Sequence, residues 1–225
     1  MVRLILFDLD GTLIRTGTDY ELARDRIRKL FRDRGLQDDF DFKPVLPKIR
    51  EAARLVSSDK EEQNTLVYQA LGFINQVEDQ ATKESNLLKG VKETLAFFSR
   101  KEVLVGIFSR TSLSAIENEL EKFGLGKFAI IVSRETVTNV KPSPDGILWA
   151  LEKLKIKKEE VWVVGDFIYD MQAAVKACVL GIGVLTGVSS REELEGSGAA
   201  EVLNSVADLQ NLYEELGSDN SDPRL

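Results

Sequence analysis

The sequence contains no histidine and a single cysteine, Cys178, among 225 residues. The first absence removes the side chain used most often as a general base near neutral pH and as a metal ligand. The second excludes an internal disulfide and any thiolate cluster around a metal. Chemistry in this chain must therefore rest on carboxylates, hydroxyls, lysine or arginine. No apolar run approaches the roughly 20 residues that cross a bilayer, so no membrane partner is expected. The apolar stretch before Asp8 is too short for the core of an export signal, which makes a cytoplasmic location the expectation. Basic residues are the minority: 30 Lys and Arg stand against 37 Asp and Glu, a net charge of −7. Without a concentrated basic stripe, such a surface repels a nucleic-acid backbone, and no nucleic-acid partner is expected. Internal repeats and low-complexity tracts are also missing.

What is present begins with "LILFDLDGTL", residues 4 to 13. Leu4, Ile5, Leu6 and Phe7 read as a strand covered on both faces, and the run leads straight into Asp8 and Asp10. Burying a carboxylate beside such a run costs several kcal/mol unless a cation or hydrogen-bond donors meet it. Two carboxylates spaced by one residue fall on the same side of an extended chain, so positive charge is expected there.

From residue 15 to about 86 the pattern turns helical. Thr18 with Glu21 forms a candidate capping box, Leu22, Ile27, Leu30 and Phe31 form an apolar stripe, and Gly35 is placed to end the helix. A second helix is expected over 47–57 and a third over 59–81, the latter with Leu66, Val67, Ala70, Leu71, Ile74 and Val77 on one face. After Gly90, helices (91–100, 112–123, 144–154, 171–178) alternate with strands (103–108, 128–132, 161–164, 182–185), and short helices follow. This alternation predicts an α/β fold, a Rossmann-like parallel sheet with helices on both faces, plus a small all-helical domain. The expected boundaries are 1–14 and 87–216 for the core, 15–86 for the helical insertion, and a disordered polar tail over 217–225.

Ligands of open parallel sheets bind beyond the carboxyl ends of the strands. Four chemistry-bearing places fall there: Asp8 and Asp10, then Ser109 in "GIFSRT", Lys141 in "NVKPSPD", and Asp166 with Asp170 in "VVGDFIYD". Each alone reads as a turn or a cap. Together they make a histidine-free, oxygen-rich pocket that suits Mg²⁺. A lysine and a hydroxyl beside that cation supply donors for a phosphate, and Asp8 could attack phosphorus while Asp10 handles protons.

In order, "DLDGTL", Ser109, Lys141-Pro142 and "GDFIYD" resemble the four motifs of the haloacid dehalogenase superfamily, a likeness spanning almost the whole chain. The resemblance implies that Asp8 is the nucleophile and Asp10 the general acid/base. It also implies that Mg²⁺ is held by the carboxylates of Asp8 and Asp166 and the backbone carbonyl of Asp10, with Asp170 behind them. Lys141 would serve both catalysis and phosphate binding, with Ser109 beside it. The dehalogenases lack the second aspartate, so Asp10 argues against that activity. The insertion resembles the cap of the phosphoglycolate phosphatase-like branch, which closes over the pocket and selects substrate.

Arg110 and Phe167 depart from the usual motifs. Arg110 reaches phosphate or substrate, or else points to solvent; Phe167 replaces a frequent small hydroxyl residue. Thr12 is expected to bond locally and, with Asp170, to stand behind the metal ligands; Arg15 could approach substrate, its plainer reading being a surface charge. In the insertion, Lys48, Arg50, Arg54, Phe40 and Phe42 are candidate substrate contacts whose plainer reading is solvated charge and core. The resulting expectation is a Mg²⁺-dependent phosphatase of a small phosphorylated metabolite, with phosphoglycolate as first guess. A sugar phosphomutase of the β-phosphoglucomutase kind and a non-catalytic binding protein are the alternatives.

Overall fold

The computed structural model describes residues 2–218. Along the chain, β1 (Leu4–Phe7) and the short β2 (Ile14–Arg15) precede three helices, α1 (Tyr20–Arg32), α2 (Val45–Val56) and α3 (Lys60–Glu84). There follow β3 (Asn86–Leu87), α4 (Val91–Arg100), β4 (Leu104–Phe108), α5 (Leu113–Phe123), β5 (Ile130–Val132) and α6 (Asp145–Leu154). The chain continues through β6 (Val161–Gly165), α7 (Ile168–Ala177), β7 (Leu180–Val184), α8 (Arg191–Gly196), β8 (Glu201–Leu203) and α9 (Leu209–Ser218). Two compact units result: one takes the chain up to Thr16 and from Ser85 onward, the other is Gly17–Glu84.

In the first unit six strands form one sheet in the order β5-β4-β1-β6-β7-β8, and every pairing is parallel. Side-chain alternation along β1 explains the two layers of helices. Ile5 and Phe7 enter one core with Val91, Phe98, Ile116 and Leu209, while Leu4 and Leu6 enter a second with Ile147, Ala150, Ala173 and Ala174. All four β1 side chains are fully buried, and each contributes about 1.5–3 kcal/mol by leaving water. The strand has no polar face because neither of its faces meets solvent.

Several element ends differ from the sequence reading. β5 begins at Ile130 rather than Phe128, α7 begins three residues earlier than expected, at Ile168, and β7 runs Leu180–Val184. Strand β8 and the antiparallel β2/β3 pair were not anticipated, because two or three residues are too few to show a period. The tail expected from residue 217 falls largely outside the described residues, and α9 takes in its first two positions.

The second unit packs α1, α2 and α3 around Ile27, Phe31, Phe42, Ile49, Leu66, Ala70 and Ile74. Asp19, not Thr18, caps α1: its carboxylate accepts the Leu22 N–H at 3.0 Å. Leu22 is correspondingly exposed rather than part of the apolar stripe. Gly35 turns the chain after α1 at φ 88°, a left-handed conformation that glycine adopts without steric cost. Among the five residues singled out here, Phe42 is core. Phe40 packs on it with ring centroids 4.9 Å apart and carries the Lys48 ammonium over its face at 5.3 Å. Arg50 and Arg54 are exposed. Among the described residues, no helix is long and apolar enough to cross a membrane.

Candidate active site

Strand β1 ends at Phe7, but the Asp8 N–H still donates to the Val164 carbonyl at 2.8 Å. The sheet thus holds the Asp8 backbone while its side chain leaves the ladder. Lys141, from the segment between β5 and α6, is buried beside it. Its Nζ donates to Asp8 Oδ1 at 2.6 Å and to Asp170 Oδ1 at 2.5 Å, and lies 4.5 Å from the Phe108 ring centre. Burial is the largest influence on this ammonium and works to lower its pKa; Asp170 and Asp8 together outweigh it, and the pKa lies above the ordinary lysine value. Lys141 is a fixed positive charge.

Asp166, at the end of β6, receives the Thr12 hydroxyl on Oδ1 at 3.2 Å and the Val188 N–H on Oδ2 at 3.1 Å. The Thr12 hydroxyl bond is therefore not local: it reaches across the sheet edge to a carboxylate 154 positions away. Asp170 is still more enclosed: Oδ1 meets Lys141 and Oδ2 accepts the Phe167 N–H at 3.1 Å. Carboxylate oxygens of Asp8, Asp166 and Asp170 lie within 4.8 Å of one another. Their side chains differ in access: Asp8 is 13% exposed against 2% for Asp170, and Asp166 is buried, so Asp8 is the most open of the three to a substrate.

Asp10 turns away from this cluster. Its Oδ1 accepts the Thr16 N–H at 2.8 Å. Burial raises its pKa against the lowering effect of the Thr16 hydrogen bonds, with the nearby Asp8 charge adding to the rise. Burial likewise pushes Asp166 up to about 7, with the charges of Asp8 and Asp170 contributing. Asp170 is raised by burial and Asp8 despite the opposing pull of Lys141. One lysine does not neutralise this many carboxylates. A dense set of hard oxygen donors with uncompensated negative charge fits a divalent cation of the magnesium or calcium class.

The remaining candidates sit at the same edge with different partners. Ser109 is buried beyond β4, its N–H on Val132 and its hydroxyl accepting from Thr111 N–H at 3.2 Å. Arg110 does not simply point to solvent: its guanidinium carbon lies 5.5 Å from the Phe167 ring and 5.2 Å from the Tyr169 ring. Arg15 is an exposed charge, as its plainer reading held, donating to the Thr186 carbonyl at 3.2 Å.

Sequence reasoning missed the loop after β7. The Thr186 hydroxyl donates to the Gly11 carbonyl at 2.5 Å, and the Val188 N–H reaches Asp166 as described. Between them Gly187 presses on that carboxylate so closely that a Cβ there would lie 1.7 Å from Asp166 Oδ2. "TGVS" follows a strand, and a glycine beside hydroxyl residues at a carboxyl edge was the available signal.

A parallel sheet with carboxylates and one buried lysine at its carboxyl edge defines an α/β enzyme whose chemistry does without histidine. The chain matches the haloacid dehalogenase-like hydrolase family over residues 5–184, and it belongs to that family. Pyrophosphatase PpaX of Listeria welshimeri is 28% identical over 211 residues, covering 92% of this chain and 94% of the relative. Phosphoglycolate phosphatase of Photobacterium profundum is 26% identical over 216 residues at the same coverages. Among solved structures, β-phosphoglucomutase of Clostridium difficile superposes with a TM-score of 0.70 at 23% identity, covering 97% of this chain and all of that one; this likeness concerns the fold.

Proposed function

We propose that this hydrolase is a Mg²⁺-dependent phosphatase of a small phosphorylated metabolite, working through an aspartyl-phosphate on Asp8. The observation that carries the reading is the reachable Asp8 carboxylate, fixed by the sheet and by Lys141, beside Asp170, which shares that one lysine, and Asp166, which pairs with no cation among the described residues. An oxygen of Asp8 attacks phosphorus, the bond from phosphorus to the leaving oxygen breaks, and Asp10 gives that oxygen its proton. A water then attacks the phosphorus, passes a proton to Asp10, and the bond to Asp8 breaks, regenerating the Asp8 carboxylate and the protonated Asp10 that began the cycle. Lys141 holds Asp8 in its orientation throughout and adds positive charge toward the phosphoryl oxygens. Asp8 and Asp166 with the Asp10 carbonyl are the proposed ligands; magnesium, when bound, screens the repulsion between Asp8 and the phosphoryl group. Asp170, ion-paired with Lys141 and the most enclosed of the three acids, serves behind them.

Phosphoglycolate remains the first substrate to test, and pyrophosphate joins it because relatives carrying each activity in their names match this chain similarly. The helical unit is read as the cap that helps select the leaving group, and the cytoplasm as the location. A panel of phosphate esters in Mg²⁺, with a hexose 1-phosphate included, tests the reaction. Phosphate release supports a phosphatase; conversion to the 6-phosphate without release supports the mutase; no turnover of any ester supports a binding protein.

Activity is expected to vanish in EDTA and return with Mg²⁺. Because a proton on Asp166 competes with the cation, the Mg²⁺ concentration for half-maximal activity should rise as pH falls below about 7. A pH-independent Mg²⁺ requirement, or full activity in chelator, contradicts the assignment. Gly187→Ala should weaken Mg²⁺ binding by about 10-fold to 100-fold, the usual effect of disturbing a group that orients a metal ligand. Isothermal calorimetry on the folded variant checks this, and unchanged affinity would detach the loop from the metal site.

A further inference from the structure

We propose that Arg110 is a specificity residue that binds a second acidic group of the substrate, a carboxylate or a second phosphoryl, on the leaving-group side of the site. The proposal rests on the phosphatase reading and deepens it. Arg110 stands just beyond β4, and Phe167 and Tyr169 stand just beyond β6. Strand β1, which delivers Asp8, lies between β4 and β6. The guanidinium carbon of Arg110 is 5.5 Å and 5.2 Å from the two ring centres, and strands two places apart are separated by about 9.6 Å. Contact between these segments therefore crosses the carboxyl end of β1, above the proposed nucleophile.

The arrangement is built rather than incidental. The rings of Phe167 and Tyr169 meet edge to face, with centroids 4.8 Å apart and planes at 66°. The two adjoining rings give the guanidinium an aromatic seat that holds it without using its N–H donors. The backbone is fixed as well, since the Arg110 carbonyl accepts from Nη1 of the buried Arg134 at 3.1 Å. Among the described residues, no carboxylate pairs with Arg110 and its side chain makes no hydrogen bond. A planar, half-buried fork of donors, held in place and unspent, matches a carboxylate or phosphoryl group in geometry and charge. The transferred phosphoryl already has Lys141, so the fork is left for the part of the substrate beyond it.

Binding measured without turnover separates this from the reaction itself. Calorimetry in Mg²⁺ would compare methylenediphosphonate and phosphonoacetate, each with two acidic groups, against methylphosphonate, which has one. The native protein should prefer the first pair, and Arg110→Ala should shrink that preference by about 10-fold to 100-fold, as expected for losing hydrogen bonds to a charged group. Arg110→Lys, which keeps charge but not the stacked fork, should recover part of it. An equal loss for all three ligands would place Arg110 on the transferred phosphoryl, and unchanged affinities would make it a stacked surface charge; either overturns the proposal. Failure of the phosphatase reading shows separately, as absence of phosphate release from every ester by native protein that still binds these phosphonates.

Discussion

Asp8→Asn is expected to eliminate turnover of every phosphate ester, by at least about 10⁴-fold, since no other group can take over a covalent step. The variant removes a nucleophilic oxygen and a proposed cation ligand while leaving shape almost unchanged. Its backbone is held by Val164 and does not depend on the carboxylate, so the fold should survive. Losing the Asp8 charge relieves its repulsion of Asp166 and Asp170, and although the Lys141–Asp8 ion pair is given up, Asp170 still holds that ammonium. The variant should therefore be no less stable than the native protein at neutral pH when both lack metal. Steady-state kinetics with thermal denaturation in EDTA checks both parts. Residual turnover above a few per cent would move the nucleophile elsewhere, and a large loss of stability would make the inactivity uninformative about chemistry.

The second large effect separates Asp10 from Asp8. Asp10→Asn should cut turnover by about 10²-fold to 10⁴-fold, the range for a general acid/base. The side chain is turned toward Thr16, two residues beyond the nucleophile, and burial raises its pKa, which suits a group that must carry a proton part of the time. The size of the loss should depend on the leaving group. An alkyl phosphate needs a proton on the departing oxygen, whereas p-nitrophenolate leaves without one. The single-turnover burst of p-nitrophenol from Asp10→Asn should therefore be slowed less than release from an alkyl ester. Hydrolysis of the intermediate still needs a base, so the phosphorylated form should accumulate. Equal losses in both bursts would assign Asp10 a structural role at the Thr16 turn.

The parts of this site that were legible are those in which a hydrophobic run meets a polar residue at a strand end. Asp8, Ser109, Lys141 and Asp166 each follow or lie close beyond such a run, and the parallel-sheet rule brings their carboxyl ends to one edge without any contact being known. Partners set by three-dimensional proximity were not legible. Thr12 and Asp166 are 154 positions apart, and the role of Gly187 depends on where Asp166 points, not on its neighbours in the chain. Arg110 shows the same limit: its identity as a departure was visible, but its seat on Phe167 and Tyr169 exists only because β4 and β6 flank β1. The cap of α1 was misplaced by one residue because Thr18 and Asp19 are both competent cap residues. Only the turn geometry decides which of them faces the Leu22 N–H.

The central claim is that the phosphoryl group rests on Asp8. The most direct test is acid quenching of a single turnover within the burst, with Asp10→Asn used to lengthen the lifetime of the intermediate, followed by peptide mapping in a mass spectrometer at low pH. One phosphoryl group on the peptide containing Asp8, with fragmentation placing it on that residue and none in Asp8→Asn, is the predicted result. A phosphoryl group on Asp10 or any other residue, or a burst of leaving group with no phosphorylated peptide at all, would contradict it.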